Sequence, residues 1–366
     1  MKEELSNGKM AVSAAGGPGE MKALLFTAER NVEVRDRPIP TIRPGHCLIR
    51  VAYIGICGAD GAFYKGNSFY LGQGHKSYPF VFGHEWSGTI VALAEDVVEF
   101  TNGDRVVGHN FAVCGECAMC RAGRSTLCSN HEEIGILGSN YDGAAAEYYL
   151  APSHTLVRIP QGLSLLEASL IEPATTVVHA IDRVRVRPDD TVAVMGTGYL
   201  GLSAIQIIKS MGAVVHSVGI EPAGLKLARD LGADRVLGPD ELTQDSYSVV
   251  LEFSGSADAA RLSPLVVAPG GRIGFVGIVP ALVDNFPVSP LVTKDVEVHG
   301  VLSGLAYWNK SLDLAAKGSL RPIQLLDRVF PYSEAPAAFE YLIRPDRSKP
   351  KLAISFEEQN TPADPD

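Results

Sequence analysis

The sequence contains no uninterrupted apolar run long enough to span a bilayer. Its first 20 residues, MKEELSNGKMAVSAAGGPGE, lack the apolar centre of a secretory signal. A cytoplasmic protein is the expectation. A surplus of positive charge is missing too: 32 Lys and Arg stand against 42 Asp and Glu, a net charge of −10. No basic stripe or polybasic run relieves that balance, so a polyanion would be repelled over most of the surface. Nucleic acid and anionic membranes are set aside as partners. There is no internal repeat, and low complexity is confined to the ends. What remains, 46% hydrophobic and 20% charged residues over 366 positions, is globular and too long for one core, which implies two lobes with a cleft.

From Met21 to about Pro160 the chain is Gly-rich. Short alternating segments (HCLIRVAYIG, EWSGTIVALAE, EYYLAPSHTLVRI) are separated by turn residues, the pattern of an antiparallel, barrel-like β domain. Longer helical periods begin near Ser164. From Asp190 strands alternate with helices: TVAVMG, AVVHSVG, SVVLEFSG, GRIGFVG and VEVHGVL. That alternation predicts a parallel, doubly wound sheet. A helical stretch and a closing strand, KLAISF, complete the chain.

After TVAVM comes GTGYLG, Gly-x-Gly-x-x-Gly between a strand and a helix. Gly196 permits the tight turn, Gly198 lets the backbone approach a pyrophosphate, and Gly201 lets helix and strand pack closely. Tyr199 and Leu200 open the helix whose N–H groups and dipole face the anion. A dinucleotide is the implied cofactor. Twenty residues on, where an acid would accept from the ribose hydroxyls of NAD, stands Gly219, with Glu221 two places later. No Arg lies between Gly212 and Leu225, although Lys226 could reach a 2′-phosphate. The charge of Glu221 favours NAD, with NADP possible.

Four of the six cysteines, Cys114, Cys117, Cys120 and Cys128, fall in CGECAMCRAGRSTLC. Four thiolates at such spacing close a tetrahedral shell and leave no open position, which reads as a structural zinc. An iron–sulfur cluster is the other metal such a run could hold, and disulfides are disfavoured without a secretory signal.

Cys57, in GICGADGAFYKG, taken alone suits a buried core thiol better than a ligand. FGHEWSG adds His84 and Glu85, and LIEPATT adds Glu172. Thiolate, imidazole and carboxylate suit a catalytic zinc whose fourth position stays open. Asp60 either orients the His84 ring or is a turn residue. YKGNSFYLGQGHKSYP, with Tyr64, Tyr70 and His75, either lines a pocket mouth or is a solvated loop.

CGAD, GHEWSG, the four-cysteine run, EPATT and GTGYLG together resemble the zinc-containing medium-chain alcohol and polyol dehydrogenases over residues 21 to 356. The resemblance implies a GroES-like catalytic barrel at 21–173, a Rossmann domain at 174–302 and a return to the barrel at 303–356. Residues 1–20 are then a disordered tail and 357–366 a second tail. It implies that Cys57, His84 and Glu172 hold the catalytic zinc, with Glu85 beside it and Thr176 at the nicotinamide. It implies two zinc ions per chain. Glu172 in place of a second Cys is similar to the sorbitol and threonine dehydrogenase branch, and so to a polyol-like secondary alcohol. Family oligomers suggest a dimer or tetramer.

One departure stands out. Many members carry Ser or Thr two residues after the ligating Cys and His three further on, a relay that passes the alcohol's proton to solvent. This chain has Ala59 and Ala62. The leading reading is an NAD-dependent oxidoreductase of a sugar-, cyclitol- or polyol-like secondary alcohol. A reductase of a conjugated double bond or iminium, or a cofactor-binding protein without turnover, would dispense with the relay.

Overall fold

The computed structural model describes residues 19–357 apart from 73, 75, 131–134, 139, 140, 280 and 281. Residues 1–18 of the expected disordered tail, the last tail except Glu357, and His75 lie outside the described residues. Glu20 already belongs to the first strand.

The first half of the chain supplies β1 (Glu20–Ala28), β2 (Asn31–Pro38), β3 (His46–Ile56), β4 (Phe80–Val81), β5 (Glu85–Leu93), β6 (Arg105–Gly108), β7 (Tyr148–Pro152) and β8 (Leu156–Arg158). β1 pairs with β2 and β4. The others form a sheet of order β15-β16-β3-β5-β6-β8, with β7 also on β3. Here β15 (Leu326–Pro331) and β16 (Lys351–Ser355) are the last strands of the chain, so its end lies in the sheet begun near its start. β3 pairs with three strands and is buried along most of its length, which explains why HCLIRVAYIGI reads as a nearly continuous apolar run.

An aromatic cluster fills this domain. The Phe26 ring lies 4.7 Å from Phe82, 5.0 Å from Phe339 and 5.5 Å from Phe80, at the tilted and edge-on angles that aromatic pairs prefer. Tyr64 belongs to this core and lines no pocket mouth. It is 2% exposed, 5.3 Å from Phe339, with its hydroxyl donating to Glu340. The helix over Gly58–Tyr64 that follows Cys57 turns its aromatic end inward, and burying two rings outweighs solvation of the segment. Tyr70 stacks on Phe63 at 6.2 Å, on the edge of the same cluster.

The second half forms the expected parallel sheet from β9 (Thr191–Met195), β10 (Val214–Val218), β11 (Arg235–Leu237), β12 (Tyr247–Glu252), β13 (Val267–Phe275) and β14 (Glu297–Gly300). The order is β11-β10-β9-β12-β13-β14, all neighbours parallel. Strand order reverses between β9 and β12, and a crevice opens beyond their carboxyl ends, where doubly wound sheets bind ligands. Among the described residues no helix is long and apolar enough to cross a membrane.

Candidate active site

Register brings the first site together. Gly55 of β3 pairs with Glu85 of β5, and Ile56 with Leu352 of β16. Cys57, one residue past β3, therefore meets Glu85 and Lys351, the first residues of β5 and β16, at one end of three adjacent strands. His84 immediately precedes β5. A Cβ at Gly55 would lie 2.6 Å from Glu85 Oε2, so only glycine leaves room for that carboxylate. Donor atoms of Cys57, His84 and Glu85 lie within 4.8 Å of one another.

Glu172 opens the helix Glu172–Arg183 and is buried against the same pocket, yet it stands outside that tightest group. This differs from the expected set of Cys57, His84 and Glu172. The physical reason is charge. Asp60, Glu85 and Glu172 crowd together, and the one cation bonded among them, Lys351, holds Glu85: Nζ donates to Oε1 at 2.5 Å and also contacts Oε2. Burial pushes the Glu172 carboxyl up to about 7, with His84 opposing and Glu85 reinforcing the shift. Burial pulls the His84 ring down, but Asp60, then Cys57 and Glu172, outweigh it and hold the ring well above its ordinary value.

Asp60 combines its two readings. Oδ2 accepts the Cys57 N–H at 2.8 Å and closes the first turn of the helix, while Oδ1 faces His84 Nδ1 at 3.9 Å, too far for a hydrogen bond. Asp60 Oδ1, His84 Nδ1 and Glu85 Oε2 are all buried without a hydrogen-bond partner. An imidazole nitrogen and two carboxylate oxygens left without partners beside the Cys57 thiol fit a zinc ion.

In the four-cysteine lobe the Cys128–Cys114, Cys117–Cys128 and Cys114–Cys120 sulfurs lie 3.5, 3.9 and 4.0 Å apart. Tetrahedral zinc with bonds of ~2.3 Å sets sulfurs ~3.8 Å apart. Backbone N–H groups of Cys114, Cys117 and Cys120 point at neighbouring sulfurs at 3.3 to 3.5 Å, and no cysteine is in a disulfide. This lobe also fits the ion.

The third element is the crevice over the parallel sheet, about 410 Å³, lined among others by Gly196, Gly198, Gly219, Glu221 and Ser254. A Cβ at Gly201 would stand 1.9 Å from the Gly196 carbonyl oxygen, whereas one at Gly198 would meet nothing within 4 Å. The turn is therefore tight inside and open outside. Glu221 caps the helix Pro222–Asp230 at the crevice wall. Lys226 is exposed and paired with Asp230 at 2.7 Å, its charge spent along the helix.

Two residues of the turn send their side chains away from the crevice. The Tyr199 side chain leaves the crevice: its hydroxyl donates to the Leu170 carbonyl, and its ring lies 4.8 Å from Lys351 Nζ. Leu200 packs into the core between sheet and helices. At the first two positions of a helix beginning on a sheet, large side chains gain more by burial than by facing an open crevice, which leaves only the backbone N–H groups for an anion. Thr176, on the helix begun by Glu172, is half-buried. Ala59 is half-buried, and Ala62 borders a cavity of about 270 Å³ lined also by Lys65, Asn67 and Arg347.

Sequence reasoning missed Lys351 and Thr197. Lys351 carries no local signal beyond a charge in front of an apolar strand. Thr197 matters because a Cβ at Gly219 would lie 2.7 Å from its Cγ2, and one at Gly224 2.4 Å from its Oγ1. Thr197 thus fills the space where an acid at 219 would start.

Residues 43–161 match the alcohol dehydrogenase GroES-like domain, and residues 200–317 match the zinc-binding dehydrogenase family. A sorbitol dehydrogenase from Halalkalibacterium halodurans is 31% identical over 87% of this chain and 95% of its own. Among solved structures, an alcohol dehydrogenase from Thermus sp. ATN1 superposes with a TM-score of 0.83 at 29% identity, covering 92% of this chain and 99% of its own. A protein from Sinorhizobium meliloti 1021 classed as a zinc-binding dehydrogenase, solved with NADP, does so at 0.82 and 26% identity, covering 92% and 99%.

Proposed function

The chain belongs to the zinc-containing medium-chain alcohol and polyol dehydrogenase family, and from that premise we propose that it interconverts a polyol-, sugar- or cyclitol-like secondary alcohol with its ketone. It is an oxidoreductase acting on CH–OH groups with zinc and a nicotinamide cofactor. The observation that carries the finer reading is the close group of Cys57, His84 and Glu85, with Glu172 behind it. It joins the Gly196–Gly201 turn through Lys351 and Tyr199.

When bound, zinc supplies a Lewis acid and the nicotinamide a hydride acceptor. Cys57, His84 and Glu172 would hold the ion, and Glu85 can approach it. Asp60 sets the His84 ring through its charge while fixing Cys57 through its hydrogen bond. The backbone of the turn binds pyrophosphate, Glu221 accepts from the adenosine ribose and favours NAD, and Thr176 faces the nicotinamide. Cys114, Cys117, Cys120 and Cys128 hold a second, structural zinc. With Ala59 and Ala62 there is no hydroxyl-to-imidazole path, which leaves Glu172, Glu85 or a substrate hydroxyl as nearest acceptors of the alcohol's proton. A second copy pairs along β14, which ends the parallel sheet and exposes Val298, with Leu302 exposed two residues beyond it, to give a dimer or tetramer. Sedimentation of Val298→Lys should then show monomer, and an unchanged assembly would rule that edge out.

The test is a screen of alcohols and ketones with NAD and NADP, run beside a metal count. Two zincs per chain and NADH formation with polyols support the reading. Turnover only with conjugated alkenes or iminium substrates would replace it with the reductase that Ala59 and Ala62 also permit. One zinc and no turnover would remove catalysis altogether.

A further inference from the structure

We propose that Tyr199 and Lys351 form a latch that carries occupancy of the dinucleotide turn to Glu85, so that the affinities of the two sites are linked. The inference rests on the reading of the Gly196–Gly201 turn as a pyrophosphate site and of the Cys57 group as a metal site.

Tyr199 is the first residue of the helix Tyr199–Ser210, where N–H groups and the helix dipole present positive charge to an anion. Its side chain turns the other way and is fixed at both ends. The hydroxyl donates to Leu170, two residues before Glu172, and the ring face carries the Lys351 ammonium at 4.8 Å. Lys351 is 2% exposed and spends its charge on Glu85. Glu85 Oε2, close to the ammonium, still lacks a hydrogen-bond donor of proper geometry, which leaves that oxygen as the adjustable end of the chain.

Three groups in contact therefore span the two domains: an aromatic ring at the anion-binding turn, a buried cation and a carboxylate of the metal group. A pyrophosphate arriving at the turn draws on the positive charge that Lys351 shares with Glu85. Coulomb attraction in a buried pair is strong enough for a small displacement of the ammonium to matter. A weaker grip by Lys351 frees Glu85 to lean toward Cys57 and His84. By linkage, whatever occupies the Cys57 site must in turn alter affinity at the turn by the same factor. Lys351 and Tyr199 act here as positioning residues.

ADP-ribose is the probe, since it carries the pyrophosphate without the nicotinamide, and ADP, which also lacks the distal ribose, controls for direct contact with the metal group. With cobalt(II) in the Cys57 site of the full chain, ADP-ribose should shift the cysteinate–cobalt absorption band of the wild-type protein. Calorimetry should show ADP-ribose binding about tenfold differently with that site loaded and emptied, a common size for linked sites. Tyr199→Leu should reduce the factor to within twofold while binding persists, and Tyr199→Phe, which keeps the ring, should retain it. Lys351→Met should abolish it and Lys351→Arg restore it. An unmoved cobalt band at saturating ADP-ribose in the wild type overturns the latch without any variant, as does a folded Tyr199→Leu with wild-type coupling. A wild-type chain that binds neither ADP-ribose nor metal at Cys57 refutes the functional reading instead.

Discussion

Replacing Gly219 by Asp puts a carboxylate where a ribose-binding acid would stand, and the structure predicts that the change fails alone and works with a partner. The new Cβ would sit 2.7 Å from Thr197 Cγ2 and 3.1 Å from Thr197 Oγ1, with Leu225 Cδ2 next at an ordinary 3.5 Å. Overpacking of this kind costs about 1–3 kcal/mol, here by pushing the end of β10 or the turn out of place. Thr197→Ala removes both close atoms. In the double variant the carboxylate can accept from the ribose hydroxyls, and a charge-assisted hydrogen bond is worth about 1.5–3 kcal/mol, roughly 10- to 100-fold in affinity. NADH should therefore tighten by about that factor in Thr197→Ala/Gly219→Asp, while NADPH weakens by like-charge repulsion. Gly219→Asp alone should bind both cofactors no better than the parent. Fluorescence titration of the four proteins with each cofactor closes a double-mutant cycle. If the single Gly219→Asp gains as much for NADH as the double, Thr197 is not the obstacle.

Ala59→Ser should raise the hydride-step rate near neutral pH by about tenfold, short of the roughly 10²- to 10⁴-fold of a fully positioned acid–base group because Ala62 still supplies no imidazole. Stopped-flow traces between pH 6 and 8 read this, and an unchanged profile means another path already carries the proton. Cys120→Ser should leave one zinc per chain and lower Tm, because a structural zinc contributes folding energy outright; a second zinc retained in elemental analysis would contradict the lobe assignment. His109 is lowered from 6.5 to about 4, by burial first and then by His154. A depressed base has no effect above its unfolded value, and stability is lost as pH falls from 6.5 toward 4, levelling below. At 1.36 kcal/mol per unit the loss approaches ~3 kcal/mol. The unfolding free energy from urea titrations should fall toward acid across that range in the wild type and fall less in His109→Gln; an equal pH dependence would show that His109 is not the group.

Much of the architecture was legible because its signals are local. Short strand-like segments set off by turn residues before Pro160, and strand–helix alternation after Asp190, each follow from local burial needs. The Gly196–Gly201 turn and the four cysteines from Cys114 to Cys128 compress their chemistry into a few residues, where spacing alone constrains geometry. Cys57 needed distant companions, and GHEWSG and EPATT supplied them.

The kinds of parts can be read along the chain: a β domain, a doubly wound sheet, a four-thiol lobe and a set of zinc-type donors. Their arrangement comes from strand pairing and packing between distant segments. Lys351 lies 266 residues from Glu85 and reaches it because β16 pairs with β3 in a register that sets Leu352 against Ile56. No local pattern encodes such a register, just as none shows that Tyr199 turns inward to Leu170, that Tyr64 joins the aromatic core or that Thr197 occupies the space beside Gly219. Buried charge and packing volume are shared among residues remote in the chain, so where each donor points is settled only when the strands are side by side.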